Sequence, residues 1–176
     1  MFRRTLLTVA VLLLTFGLLA IAIPQLRHIH RYALLMTRHL PDSLPVPVAG
    51  VRPARLADTW GGLRSGGRRH EGIDIFAPRN TPILSATEGV VSRRGVNQLG
   101  GRYVAVTGPG GHTHYYAHME RFAAVDAGEW VRRGDTIGYV GDSGNAKGTP
   151  THLHYGIYRL GGGAINPYPF LAGRRR

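Results

Sequence analysis

The 176-residue chain has no cysteine, a single lysine (Lys147), and 10 acidic residues against 22 basic ones. Without cysteine there are no disulfides, no thiol nucleophile and no Cys-ligated zinc, so any metal site must be built from His and Asp. That absence does not fix the compartment. The shortage of acid leaves a formal net charge of +12, carried almost entirely by arginine. Such a charge draws anions, but the arginines are scattered and no nucleic-acid reader motif is present. Nucleic acid is therefore not expected, and anionic lipid headgroups or an anionic wall polymer fit better. Long helical periodicity is also missing past residue 50, where no such window exceeds about ten residues.

Glycine is abundant: 25 residues, about twice the usual share of roughly 7%, which favours a turn-rich β protein. From Ile73 onward, short apolar runs recur at intervals of roughly ten residues with Gly, Pro or Asn between them. Examples are Tyr103-Val-Ala-Val-Thr, Thr136-Ile-Gly-Tyr-Val and His152 to Tyr158. The expected fold is mostly β: an antiparallel β-sandwich or open barrel of one domain, preceded by an N-terminal transmembrane helix and a short amphipathic helix. The stretches Gly95 to Gly101 and Asp142 to Thr149 read as longer, mobile loops of the kind that rim a cleft.

Thr5 to Ile23 is uncharged and mostly aliphatic, and Pro24 follows it. At about 1.5 Å per residue it reaches roughly 28 Å, near the hydrocarbon thickness of a bilayer. Arg3 and Arg4 before it predict a cytoplasmic N-terminus and an exported remainder. Ala20-Ile21-Ala22 keeps cleavage as a signal peptide open as the alternative. Residues 1–24 are thus expected to form a signal-anchor and 25–49 a basic amphipathic segment with a Pro-stiffened linker. The folded domain is placed at 50–173, with a basic tail at 174–176. Gln25 to Leu40 suits a short helix on an anionic membrane surface. Its His28, His30 and His39 read as a solvated face.

Three segments carry the chemistry: His70-Glu-Gly-Ile-Asp74, Tyr116-Ala-His118 and His152-Leu-His154. On an extended strand His70 and Asp74 share a face but sit about 13 Å apart, too far for one ion, so the backbone must bend, and Gly72 permits it. His152 and His154 also share a face, so one can ligate an ion while the other reaches toward substrate. Strict alternation puts His112, His114, Tyr116 and His118 together; His112 and His114 read as cleft-edge or solvent-facing groups. Glu71 alternates away from His70 and Asp74 and reads as a surface residue. Asp58 and Arg64 read as a structural turn and an ion pair.

His70-Glu-Gly-Ile-Asp-Ile-Phe-Ala-Pro-Arg-Asn-Thr-Pro-Ile, Gly89-Val-Val, Tyr116-Ala-His-Met, Val131-Arg-Arg-Gly-Asp-Thr-Ile-Gly and His152-Leu-His-Tyr with Asn166-Pro together resemble the M23 peptidases. This is the LytM and lysostaphin-type group of zinc endopeptidases acting on peptidoglycan. The resemblance covers about residues 50 to 171. It implies one Zn²⁺ held by His70, Asp74 and His154, with His118 and His152 as catalytic groups. An acidic residue that often follows the last motif is replaced here by Gly156. Three protein ligands leave a fourth position for water, the catalytic rather than the structural pattern. Tyr116 is expected to help hold substrate or oxyanion. The function expected is hydrolysis of amide bonds in peptidoglycan cross-links by metal-activated water, outside the cytoplasm. Two alternatives remain: a non-catalytic regulator of another wall hydrolase, disfavoured by the complete residue set, and a lipoyl-type carrier, disfavoured by the setting of Lys147.

Overall fold

The computed structural model describes residues 2–22 and 24–173, with side chains described for 5–18 and 28–173. The side chains of Arg3, Arg4 and Ala20-Ile21-Ala22, and the Arg174–Arg176 tail, lie outside the described residues. Among the described residues, nine antiparallel strands form the body of the protein. They are β1 (Ile73–Phe76), β2 (Pro82–Leu84), β3 (Gly89–Asn97), β4 (Gly101–Thr107), β5 (Thr113–Phe122), β6 (Trp130–Val131), β7 (Thr136–Val140), β8 (His152–Tyr158) and β9 (Ala164–Ile165). The main path runs β1-β8-β5-β4-β3-β6. From it β7 branches off β5 and carries β2, and β9 adds to β8. The sheet is open, as the strand pattern predicts.

Alternation explains how these strands bury one face. In β8, Leu153, Tyr155 and Ile157 are fully buried, while His152 and His154 take the opposite side. Ile73 and Ile75 of β1 join the same core, together with Val104, Val106, Met119, Ile137 and Val140. The site face of β1 and β8 is set by their register, which places Asp74 opposite His154 and Phe76 opposite His152.

Two helices precede the sheet: α1 (Phe2–Ala22) and α2 (Pro24–Thr37). Among the described residues no helix is long and apolar enough to cross a membrane, so the expected transmembrane span is not supported by the fold. The short helix expected within residues 25–40 is present as α2, but it packs against the domain. Leu35 is 1% exposed, the Arg31 guanidinium lies 4.1 Å from the Trp130 ring centroid, and Arg38 pairs with Glu88. His28, His30 and His39 stay exposed, as expected.

The segment read as a linker is also part of the packed unit. Leu44 and Val48 enter the core, the Leu44 amide donates to the Phe170 carbonyl at 2.9 Å, and the Leu84 amide donates to the Pro47 carbonyl at 3.0 Å. Proline lacks a donor but keeps its carbonyl, so a Pro-rich run can still lie along a sheet edge. Apolar residues alternating with Pro45 and Pro47 do that here. A last helix, α3 (Tyr168–Leu171), closes the base of the core through Leu171.

Candidate metal centre and active site

His70 leaves a short hairpin and enters β1 through a bend at Gly72. The bend brings the His70 and Asp74 side chains together, as the spacing requires. Gly72 also leaves no side chain in the way. A Cβ there would stand 2.6 Å from the Tyr155 carbonyl oxygen and 2.7 Å from His154 Cε1. The ring of His154 therefore occupies the space left by the missing side chain.

His70, Asp74 and His154 each offer one ligand atom, all within 4.8 Å of one another. His70 Nε2 is 3.1 Å and His154 Nδ1 3.2 Å from Asp74 Oδ1, and the two nitrogens are 2.8 Å apart. Donors bound at 2.0–2.1 Å around a tetrahedral zinc ion stand about 3.3 Å from one another. The set is thus close to the spacing of a single small ion, and its chemistry of two imidazoles and a carboxylate fits zinc. His70 Nδ1 sits 2.7 Å from the Thr59 carbonyl oxygen. Only a ring N–H can make that bond, so Nδ1 donates there and Nε2 is turned toward the ion position. Thr59 also accepts the Asp74 amide through Oγ1 at 3.0 Å. Burial opposes ionisation of Asp74, yet bonds from His154, His70 and Arg64 hold its carboxyl well below the usual carboxylate range.

His118 and His152 face each other beside this cluster, ring centroids 5.0 Å apart. His118 Nδ1 donates to the Ser143 carbonyl at 2.9 Å and His152 Nδ1 to the Pro150 carbonyl at 2.8 Å. Both rings therefore turn Nε2 toward the cleft. Burial pushes the His118 imidazole down to about 4, so it is neutral at pH 7. His152 Nε2 is 3.9 Å from Asp74 Oδ1, and the exposed ring of Phe76 stands 5.4 Å from His152 at the mouth of the site.

Strict alternation fails in β5, and with it the expectation for Tyr116. Tyr116 is fully buried. Its hydroxyl accepts the Ala86 amide at 2.9 Å, and its ring packs on Tyr155. Burial pushes that phenol up to about 12. It takes no part in the site. The cause is an extra residue in β5: Val104 pairs with Tyr116 but Arg102 with Met119. His118 sits in this bulge with φ of 63°, a left-handed conformation uncommon outside glycine and a recurrent mark of functional sites. The bulge turns His118 onto the face of Tyr115 and Ala117, while Tyr116 and Met119 point inward. Tyr115 consequently meets His154 edge-on at 6.2 Å.

His114 is likewise buried rather than at the cleft edge, with Nδ1 2.7 Å from the Tyr155 hydroxyl. Glu71 is exposed, as alternation predicts. Asp58 does cap a turn, accepting the Trp60 amide at 3.2 Å, but Arg64 pairs with Asp74 instead of Asp58. The two rim loops are tied to one another. The Asn145 amide donates to the Leu99 carbonyl at 3.0 Å and the Arg102 amide to Ser143 Oγ at 2.9 Å. Thr59, Ser143 and Pro150 went unread because their carbonyls, which fix three imidazoles, have no side-chain signature.

The chain is similar to known peptidases. An L-Ala–D-Glu endopeptidase of Bacillus subtilis is 42% identical over 140 residues, covering 73% of this chain and 42% of the relative. A peptidoglycan DD-endopeptidase of Vibrio cholerae, ShyC, is 38% identical over 107 residues, covering 61% of this chain and 23% of its own length. The chain thus spans less than half the length of these relatives. The catalytic domain of lysostaphin from Staphylococcus simulans superposes with a TM-score of 0.59 at 27% identity, over 65% of this chain and 89% of that domain. Residues 68–167 match the family model described as Peptidase family M23, a span that includes all five site residues, four histidines and one aspartate, and the chain belongs to that family.

Proposed function

We propose that the protein is a zinc-dependent endopeptidase that hydrolyses amide bonds in the peptide part of peptidoglycan. The observation that carries this reading is the grouping of three ligand atoms with two further imidazoles, each presenting a free Nε2 to the same cleft. His70, Asp74 and His154 would hold the ion. Zinc bound there supplies a Lewis acid and lowers the pKa of water toward 7.

The remaining work belongs to the chain. His118 is neutral at pH 7, so its Nε2 accepts a proton from the attacking water and returns it to the leaving amine. His152, across the cleft, orients the attacking water through Nε2. The carbonyls of Ser143 and Pro150 fix both rings, so little reorientation is needed during the reaction. The L-Ala–D-Glu and DD-endopeptidase activities named for the relatives support peptidoglycan peptides as the substrate class.

The exposed face of α1 supports an envelope location. Leu6, Leu7, Leu12, Leu13, Leu14 and Leu18 are each more than 60% exposed, and such a run is stable only against lipid or another apolar surface. We place the catalytic domain outside the cytoplasm, with this face of α1 against the cytoplasmic membrane. The deciding experiment is digestion of purified cross-linked muropeptides by zinc-loaded protein, followed by mass spectrometry. New amine and carboxyl termini that vanish with chelator support the reading. Intact muropeptides, under conditions where another endopeptidase cuts them, would end it.

A further inference from the structure

Arg64 lies on the hairpin that leads into His70, ten residues before Asp74. The hairpin is closed by the Leu63–Arg69 bridge and by the Arg64 amide donating to the Arg68 carbonyl at 2.8 Å. The Gly61 amide donates to His70 and the His70 amide to Gly62, each at 2.9 Å. Gly66 and Gly67, with φ of 74° and 72°, form its tip. The arm bearing Arg64 is thus hydrogen-bonded to the backbone of a ligand residue, and its guanidinium reaches across to Asp74.

The two oxygens of Asp74 have different surroundings. Oδ1 faces His70 Nε2, His154 Nδ1 and, at 3.9 Å, His152 Nε2. Oδ2 takes the Arg64 guanidinium. The Asp74 side chain is 8% exposed and that of Arg64 40%, so the guanidinium stands between the carboxylate and solvent. Thr59 Oγ1 fixes the Asp74 backbone amide but leaves χ2 free, and that torsion is broad and roughly two-fold. A charged, planar donor on one oxygen is the feature that breaks this symmetry.

We propose that Arg64 is a positioning residue for the metal centre: by holding Asp74 Oδ2 it presents Oδ1, alone and in a fixed direction, to the ion bound by His70 and His154. The inference rests on the zinc-site reading. Arg64 touches neither the ion position nor the two catalytic imidazoles. Its contribution is to metal affinity, through the ligand it orients, which is the role of outer hydrogen-bond partners in metal sites generally.

The test is zinc affinity of the full-length protein, measured by competition with a chromophoric chelator for wild type, Arg64→Gln, Arg64→Lys and Asp74→Asn. Thermal melts of the chelator-treated proteins run in parallel. Arg64→Gln is expected to weaken zinc binding about 10- to 100-fold. Arg64→Lys should recover part of that loss, because a lysine restores the charge but not the planar fork. The metal-free melting temperatures should stay close to wild type. A wild-type affinity in Arg64→Gln overturns the proposal, and so does tighter binding, which would make Arg64 a competing cation. Should Arg64→Gln not fold, Arg64→Lys decides alone, with unchanged affinity as the overturning result. Asp74→Asn separates the two readings. If it abolishes zinc binding while Arg64→Gln binds zinc as tightly as wild type, only the role of Arg64 falls. A wild-type protein that binds no zinc takes down the zinc site as well.

Discussion

Nine histidines share one side-chain chemistry, and what distinguishes those at the site is the atom each ring nitrogen faces. His70, His118 and His152 each give Nδ1–H to a backbone carbonyl and keep Nε2 for the site, whereas His154 turns Nδ1 toward Asp74. Replacing His118 with Ala should therefore lower kcat by about 10²- to 10⁴-fold, the usual worth of a positioned acid–base group, and leave zinc affinity near wild type. Steady-state kinetics and a chelator competition check the two halves. His154→Ala is expected to lose both metal and activity. Tyr116 gives the opposite contrast. Tyr116→Phe removes the acceptor of the buried Ala86 amide and should cost about 1–3 kcal/mol of stability, while the folded enzyme keeps its kcat. Urea unfolding and kinetics test this, and a fall in kcat at unchanged folded fraction would return Tyr116 to the site.

At the scale of elements, the strands were legible because their apolar runs have the right length and their breaks carry turn residues. His-x-His and His-x3-Asp showed which side chains share a face, but His70, Asp74 and His154 as a ligand set came from the resemblance to the M23 peptidases. The β5 bulge was not, since alternation assumes an unbroken pleat and nothing in Tyr115-Tyr-Ala-His118 announces an extra residue. The same limit hid Leu44 and Val48, whose neighbouring prolines read as a linker while their side chains pack into the core. Gly72 shows how a reading can be right in place and incomplete in cause: the bend was foreseen, the contact with His154 was not. Gly72→Ala puts a methyl group 2.6 Å from the Tyr155 carbonyl and 2.7 Å from the His154 ring. The β1–β8 pairing must open or the ring must move. The expected result is weaker zinc binding together with a lower melting temperature, read by chelator competition and calorimetry. A variant with wild-type affinity and stability would show that the ring has room to yield.

For the whole molecule, the buried histidine that the mechanism does not use sets a pH limit on the fold. His114 lies in the core between β4 and β8, bonded to Tyr155, and burial pushes it down to about 3 from an ordinary value of 6.5. His112 is the nearest charged influence and acts in the same direction. Because the folded value is depressed, the unfolded chain takes up a proton first as pH falls. The stability this group contributes is complete above about pH 6.5 and is lost progressively down to about pH 3, at about 1.4 kcal/mol per pH unit. His114→Gln keeps a polar partner for the Tyr155 hydroxyl but cannot titrate. In chelator-treated protein, urea unfolding at pH 7.5, 6, 5 and 4 should show wild type losing stability faster than the variant below pH 6.5, with parallel lines above it. Subtracting one profile from the other cancels the site histidines and Asp74, which titrate in both proteins. Parallel profiles over the whole range would mean that His114 takes a proton inside the fold, and the acid sensitivity of this β domain would then have to originate in its metal ligands.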